Sequence, residues 1–433
     1  MRIDIVNGNV VTGDGESYLE DTSVITQDGL ITDLPKIRHV PYRIYSHRVL
    51  DAQGGLIMPG LINIHAHVVS FGPLCPGLPR DGAPKERILA NLDNHLLQGT
   101  TTVLSLDGFN LPFENDAINK LHPVNVKKAT LHTPKNIASG DMGVGKRLEG
   151  NHRRFTAEED VASGAVAMGE VGSRATTGAT YEKNVRLERP ISTSEALALD
   201  DAYAAGDDVA LVSAMKNAGM DDMTLDNVKK LVKETSVDTL QAAVEAILET
   251  IEYAPRLGVP ALVHAEPPSF DPLREAAREL GSRLVALHVN HRATVDQAVG
   301  LAKEVRGYGG FVEVISADHF GAGQLEPGPE TAFAMMAEGV VDVLSTDYSG
   351  GYHDAVLLLI KKAVEANVIS LPQAVRLATS SPGSIVPGLA PDKGLIEPGK
   401  VADIIVVDKD DISHVRHVII GGRIVDEDGR IVV

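Results

Sequence analysis

The sequence predicts an α/β protein, a (β/α)8 TIM barrel with a small β-sandwich domain built from both chain termini. Three observations carry this. Both ends of the 433-residue chain read as short strands joined by Asn-Gly, Asp-Gly or Gly-Gly turns. The middle alternates short apolar runs with amphipathic helical stretches, the pattern of a parallel sheet wrapped by helices. Eight such runs can be counted, and most end in a polar, acidic or histidine residue.

The first 58 residues supply one part of the sandwich. "DIVNGNVVT" and "SVITQDGLITDL" each place a two-residue turn signal between apolar runs, so each is expected to be a hairpin. Residues 385–433 supply the second part, with "ADIIVVD" and "HVIIGGRIVDEDGRIVV". Residues 59–384 form the expected barrel. Its strands are read at "GLINIHAH", "TTVLSLDG", "VKKATLHT", "VAMGEVG", "VPALVHAE", "RLVALHVNH", "GFVEVISADH" and "VVDVLSTDY". Stretches such as "PLREAARELG" and "TVDQAVGLAKEVRGYG" are the helices between them. Residues 174–255 break the regular spacing. Leu225, Val228, Leu231 and Val232 recur at helical spacing, as do Leu240, Val244, Ile247, Leu248 and Ile251. The second stretch is expected to be a barrel helix. The first belongs to an insertion over the active-site face, an oligomer contact, or a solvated surface pair of helices.

Composition narrows the function classes. Apolar content is 43 % and charged content 23 %, ordinary for a globular protein. A net charge of −19 argues against nucleic acid or an anionic membrane as the main partner, since both call for a basic patch. A small-molecule substrate is the expected partner, and a homo-oligomer is expected. Cys75 is the single cysteine, which suits a reducing compartment. With no secretory signal and no apolar run long enough to span a bilayer, a cytoplasmic location is expected.

The chemistry is concentrated at strand ends. His65 and His67 form H-x-H, and residues i and i+2 on a strand share one face, so both imidazoles can reach one cation. Alone the pair is ambiguous. Glu170 ends the fourth strand, where an anion would lie between two metals. His264 and His288 end the fifth and sixth. Asp347 ends the eighth, after an apolar run that would bury its carboxylate without a partner. Four histidines and two carboxylates exceed what one tetrahedral zinc needs and suit two divalent ions, zinc or iron, with manganese as a further choice. His291 competes with His288, but the two are three residues apart and cannot share a strand face. His291 is left as a support or substrate group. His319 and Arg174 are further substrate-binding candidates. His95, His122 and His414 lie in polar or helical contexts and are read as structural.

"IMPGLINIHAH", the two strand-end histidines, "STDYSG" and the closing "KGLIEPGKVADIIVVD" together resemble the amidohydrolase superfamily over nearly the whole chain. Within it, "GEVGS" at the fourth strand, "HVNHRAT" and "VEVISADHFG" look most like enamidase, a cyclic-amide hydrolase. Isoaspartyl dipeptidase has a similar H-V-N-R stretch but bridges its metals with a carboxylated lysine. The resemblance implies a binuclear site. His65 and His67 would hold the first metal with Asp347, His264 and His288 the second, and Glu170 would bridge. It also implies hydrolysis of an amide C–N bond, with a cyclic amide expected and Asp347 as general base and acid. The other readings are a ring deaminase, a lactonase or phosphotriesterase using the same activated water, and a non-catalytic scaffold.

Overall fold

The computed structural model describes residues 1–36, 48–73, 82–143, 148–173, 191, 193–316, 329–350 and 355–432. The N-terminal segment forms β1 (Arg2–Val6), β2 (Asn9–Val11), β3 (Tyr18–Leu19), β4 (Val24–Gln27), β5 (Leu30–Asp33), β6 (Arg48–Asp51) and β7 (Leu56–Pro59). The barrel strands are β8 (Leu61–Ala66), β9 (Thr100–Ser105), β10 (Asn125–Thr130), β11 (Ala167–Val171), β12 (Ala261–His264), β13 (Leu284–Leu287), β14 (Phe311–Ile315) and β15 (Val343–Ser345). The chain ends in β16 (Ile404–Val407), β17 (Val415–Ile420), β18 (Arg423–Glu427) and β19 (Arg430–Ile431).

Two sheets form the small domain. One has the order β5-β4-β1-β6; the other, β19-β18-β17-β16-β7-β2-β3, mixes strands from both termini. Their shared core holds Ile3, Ile5, Val24, Ile57, Ile404, Val406 and Ile419. Asp28–Gly29, Gly421–Gly422 and Asp428–Gly429 all take positive φ and close the hairpins β4–β5, β17–β18 and β18–β19. The Asn7–Gly8 pair does something else. Instead of closing a hairpin it carries the chain from one sheet to the other, because β1 pairs with β4 and β6 while β2 pairs with β3 and β7. Gly8 is needed there, since a Cβ would lie 2.8 Å from Ile57 Cδ1. The turn chemistry was legible, but its use depends on which sheet buries each strand.

At Gly60 the chain passes from β7 into β8, and a Cβ would meet Thr101 Cγ2 at 2.3 Å. From there β8 to β15 are parallel and neighbour one another in chain order. Their continuous β-branched and leucine runs suit strands covered on both faces. Ile62, Ile64, Leu104, Ala129, Leu262, Val285 and Val343 pack together, joined by Ile385, Val386 and Leu389 from the segment after the last barrel strand. The ring closes where Asp347 N–H donates to His65 O at 3.0 Å and His67 N–H donates to Tyr348 O at 2.8 Å. The closing seam is therefore made by residues the sequence places in the site.

In the long insertion, helices Thr193–Ala204, Asp208–Asn217 and Leu225–Val232 bury Leu199, Leu211, Met215, Val228, Leu231 and Val232 against one another. This is a small helical unit with its own core, not a solvated pair. Helix Asp238–Leu257 packs on β11 and β12 and serves as the expected barrel helix. Among the described residues no helix is long and apolar enough to cross a membrane.

Asp426 on β18 is fully buried, and burial pushes its carboxyl up to about 6, against a weaker pull from the Gly429 backbone. A carboxyl raised in the fold contributes stability below its unfolded pKa near 4, and this is lost as pH rises through about 6. Asp426→Asn is expected to raise stability at pH 7–8 by about 1–2 kcal/mol, a difference that disappears near pH 4. Thermal melts of both proteins at the two pH values check this; equal melting points at pH 8 would refute it.

Candidate metal centre

Each site residue stands at or just past the C-terminal end of a barrel strand, where this fold gathers its chemistry. His65 is on β8 and His67 just beyond it. Glu170 is near the end of β11, His264 ends β12, and His288 and Asp347 follow β13 and β15. Two of these strands slip register at the ligands, β8 between Asn63 and Ala66, β11 between Met168 and Val171. Such irregularities re-aim side chains at a barrel rim. The backbone is unusual here as well. Val68, His288, Arg292 and Asp347 take φ values of 57°, 35°, 53° and 51°. Non-glycine residues, and a β-branched one above all, enter this region only when the surroundings hold them there. For Val68 those surroundings are clear. Its N–H donates to Asp107 Oδ1 at 2.9 Å, and its carbonyl accepts from Asn91 Nδ2 at 3.0 Å.

All six predicted ligands meet. Glu170 is the hub, and its two oxygens face different histidines. Oε1 lies 2.6 Å from His264 Nδ1 and 3.0 Å from His288 Nε2. Oε2 lies 3.4 Å from His67 Nε2 and 3.9 Å from His65 Nε2. Asp347 Oδ1 completes that second half, 3.2 Å from His65 Nε2 and 3.4 Å from His67 Nε2. A tetrahedral ion with 2.0–2.2 Å bonds holds its ligand atoms about 3.3–3.6 Å apart; Asp347 Oδ1 stands near that spacing from both β8 histidines and Glu170 Oε2 from His67, while Glu170 Oε2 is farther from His65. His65 Nε2 is buried and makes no hydrogen bond of good geometry, though it faces Asp347 Oδ1. The residues therefore fit a divalent cation. His65, His67 and Asp347 form one group that could hold an ion, and His65, Glu170 and His288 another. The half around Oε1 is tighter, drawn together by hydrogen bonds.

Charge agrees with geometry. Burial disfavours every ion here, and the cluster overrides it. Glu313 and Asp347 hold the His65 imidazolium up to about 10. His67 is raised well above the usual histidine range by Asp107, Asp347 and Glu170, and His288 is raised by Glu170. The histidines hold Glu170 and Asp347 well below the usual carboxylate range, His264 acting most on the first and His65 on the second. By protein groups alone, protons supply the positive charge that the carboxylates demand. Exposure separates the members. Glu170 is 4 % exposed, whereas the Asp347 side chain is 27 % exposed, the most of the six.

His291 lies beside the cluster with its ring 5.4 Å from that of His288, and burial together with the His288 charge keeps it neutral. It sits outside the ligand set. His319 and Arg174 fall outside the described residues. His95 packs edge-on against Tyr348, His122 bonds Asp93 at 3.1 Å, and His414 pairs with Asp408, so none of the three joins the site. Three carboxylates were missed by the sequence reading, and one of them, Glu266, lies 3.7 Å from His264 Nε2. Glu313 accepts from His65 Nδ1 at 3.0 Å, and Asp107 lies 3.7 Å from His67 Nδ1. Glu313 stood in plain view inside the apolar run "FVEVI", the same signal that singled out Asp347.

The Amidohydrolase family model matches residues 56–425. A dihydroorotase of Trichlorobacter lovleyi is 23 % identical over 94 % of this chain and 90 % of its own length. An imidazolonepropionase of Brevibacillus brevis is 27 % identical, over 25 % of this chain, and the chain spans 35 % of that relative. The crystal structure of a β-aspartyl dipeptidase from Fervidobacterium islandicum AW-1 superposes with a TM-score of 0.61 at 15 % identity, covering 100 % of this chain and 98 % of its own.

Cation binding must displace the protons that the histidines carry, so it should release about one proton or more per ion near pH 7 and tighten as pH rises. Titration calorimetry with zinc in buffers of different ionisation enthalpy reads this directly. Heats independent of the buffer would contradict the cluster described. The half made by His65, His67 and Asp347 should fill first, giving two resolvable binding steps.

Proposed function

The chain belongs to the amidohydrolase family, and on that premise we propose that it is a metal-dependent hydrolase that opens a cyclic amide at its C–N bond. The observation that carries this reading is Glu170, with each oxygen turned to a different pair of histidines and Asp347 at the open edge. His65, His67 and Asp347 would hold one divalent ion, His264 and His288 a second, and Glu170 both. Zinc, iron or manganese bound there would supply Lewis acidity and a water acidic enough to ionise near neutral pH.

The residues then divide the work. Asp347 would be a ligand and is also the most exposed of the six side chains, so it is within reach of the proton lost by the attacking water. It takes that proton as oxygen adds to the amide carbon. It returns the proton to the nitrogen as the C–N bond breaks, leaving a carboxylic acid and an amine in one opened chain. Glu170 contributes its single negative charge as an unmodified side chain. The names dihydroorotase and imidazolonepropionase point to ring substrates, which supports the cyclic amide over the open-chain amide of a dipeptidase. The enamidase-like stretches "GEVGS" and "HVNHRAT" favour the same class.

Asp347→Asn is expected to keep near-normal metal content while kcat on a lactam or hydantoin substrate falls by about 10²–10⁴. Elemental analysis and steady-state kinetics on the purified protein check this. Full activity in the variant would remove Asp347 from proton transfer. A single ion per chain, unchanged by Glu170→Ala, would favour the ring deaminase.

A further inference from the structure

The seventh barrel strand gives no ligand to the cluster, yet it carries a carboxylate that the proposed reaction does not use. Glu313 lies in the middle of β14 and is fully buried. A carboxylate placed there needs donors, and three reach it, from β8, from β15 and from the residue just after β13. His65 Nδ1–H donates to Oε2 at 3.0 Å. The His288 backbone N–H donates to the same oxygen at 2.8 Å. The Ser345 hydroxyl donates to Oε1. His65 is its ion-pair partner.

We propose that Glu313 is the positioning residue of the metal centre: it fixes the tautomer of His65 and, through the same oxygen, the backbone of His288. This rests on the reading of the cluster as a metal site. A neutral imidazole has one N–H and one lone pair. A carboxylate against Nδ1 requires the N–H on that side, so the proton that an incoming cation displaces from the imidazolium is the one on Nε2. Nε2 is the atom 3.2 Å from Asp347 Oδ1, on the side of the cluster. The opposite tautomer would set a lone pair against a buried carboxylate and a proton against the incoming cation. Hydrogen bonding to a carboxylate also makes the imidazole a better donor to a metal. His288 belongs to the other half of the cluster and sits at φ 35°, a conformation that needs holding. One oxygen thus serves both halves.

His67 is served less directly. Asp107 Oδ1 is 3.7 Å from its Nδ1 and is engaged by the Val68 N–H, while Oδ2 accepts from Ser105. Glu313 and Asp107 are therefore unequal, and Glu313 should matter more to metal affinity than Asp107.

Zinc affinity of the full chain, measured by competition with a chromophoric chelator, tests this with Glu313→Gln and Asp107→Asn alongside. Glu313→Gln is expected to weaken zinc binding by about 10–100-fold, with a nearly unchanged melting temperature of the metal-free protein and an altered visible spectrum of the cobalt-loaded form. Asp107→Asn is expected to weaken binding less. Wild-type affinity and an unchanged cobalt spectrum in a folded Glu313→Gln would overturn the proposal. Should Glu313→Gln fail to fold, Glu313→Asp keeps the charge but withdraws it by one methylene, and the same loss of affinity is expected. If neither folds, Glu313 is a structural residue and the proposal falls. A wild-type chain that binds no zinc defeats the metal reading itself, an outcome separate from any effect of Glu313.

Discussion

The Glu170 carboxylate lies between two pairs of histidines that come from three other strands, and its oxygens are divided between them. A negative charge so deeply buried is tolerated only if positive charge surrounds it. This constraint reaches well beyond one side chain. It requires β8, β12 and the turn after β13 to end at the same depth, and it makes the four imidazoles converge on one carboxylate. Protons or cations can supply the balancing charge. Cations do so while leaving every ring nitrogen that faces the centre as a donor, which is why the same geometry that stabilises the cluster also prepares it for metal.

That convergence is held by unusual backbone. Val68, His288 and Asp347 all adopt positive φ at the points where the chain must turn a side chain inward and then leave the barrel. Two of them are restrained by buried side chains outside the ligand set. Asp107 and Asn91 hold Val68, and Glu313 holds the His288 N–H. The carbonyl of His65 holds the Asp347 N–H. Strain of this kind persists because several elements determine it at once. The ligand set and the buried polar groups behind it are one unit, and the apolar interior below it, with Ile64, Leu104 and Leu262, is the rigid floor on which that unit stands.

Much of this was legible in the sequence. Eight apolar runs gave the barrel, because parallel strands buried on both faces must be apolar and short. His65, His67, Glu170, His264, His288 and Asp347 were identifiable because each closes such a run, and the fold places those ends together. The sandwich was readable from its turns, with one difference. Asn7–Gly8 looks like a hairpin turn but moves the chain between sheets, a choice set by the packing of Ile57 and its neighbours and not by local turn chemistry. The insertion's three-helix core was hidden for a related reason, since its helices bury residues against one another and not against the barrel. Glu313 and Asp107 were missed because a carboxylate inside or just after a strand shows its charge in the sequence but not which histidine it faces.

Asp347 ties the fold to the chemistry most directly. Its N–H bonds the carbonyl of His65, so it joins the last strand to the first and closes the ring. Its side chain meets the two β8 histidines, and it is the one member of the cluster with substantial exposure. Closing the barrel and setting the distance between a proton acceptor and the first two ligands are therefore the same structural event. A barrel left open at this seam would lose the alignment of Asp347 with His65 and His67 before it lost any ligand. The β-hairpins at the two chain ends support that seam from outside, for β7 runs straight into β8 through Gly60, whose N–H donates to Asp403 just before β16. Both termini thus brace the strand that carries the first two histidines.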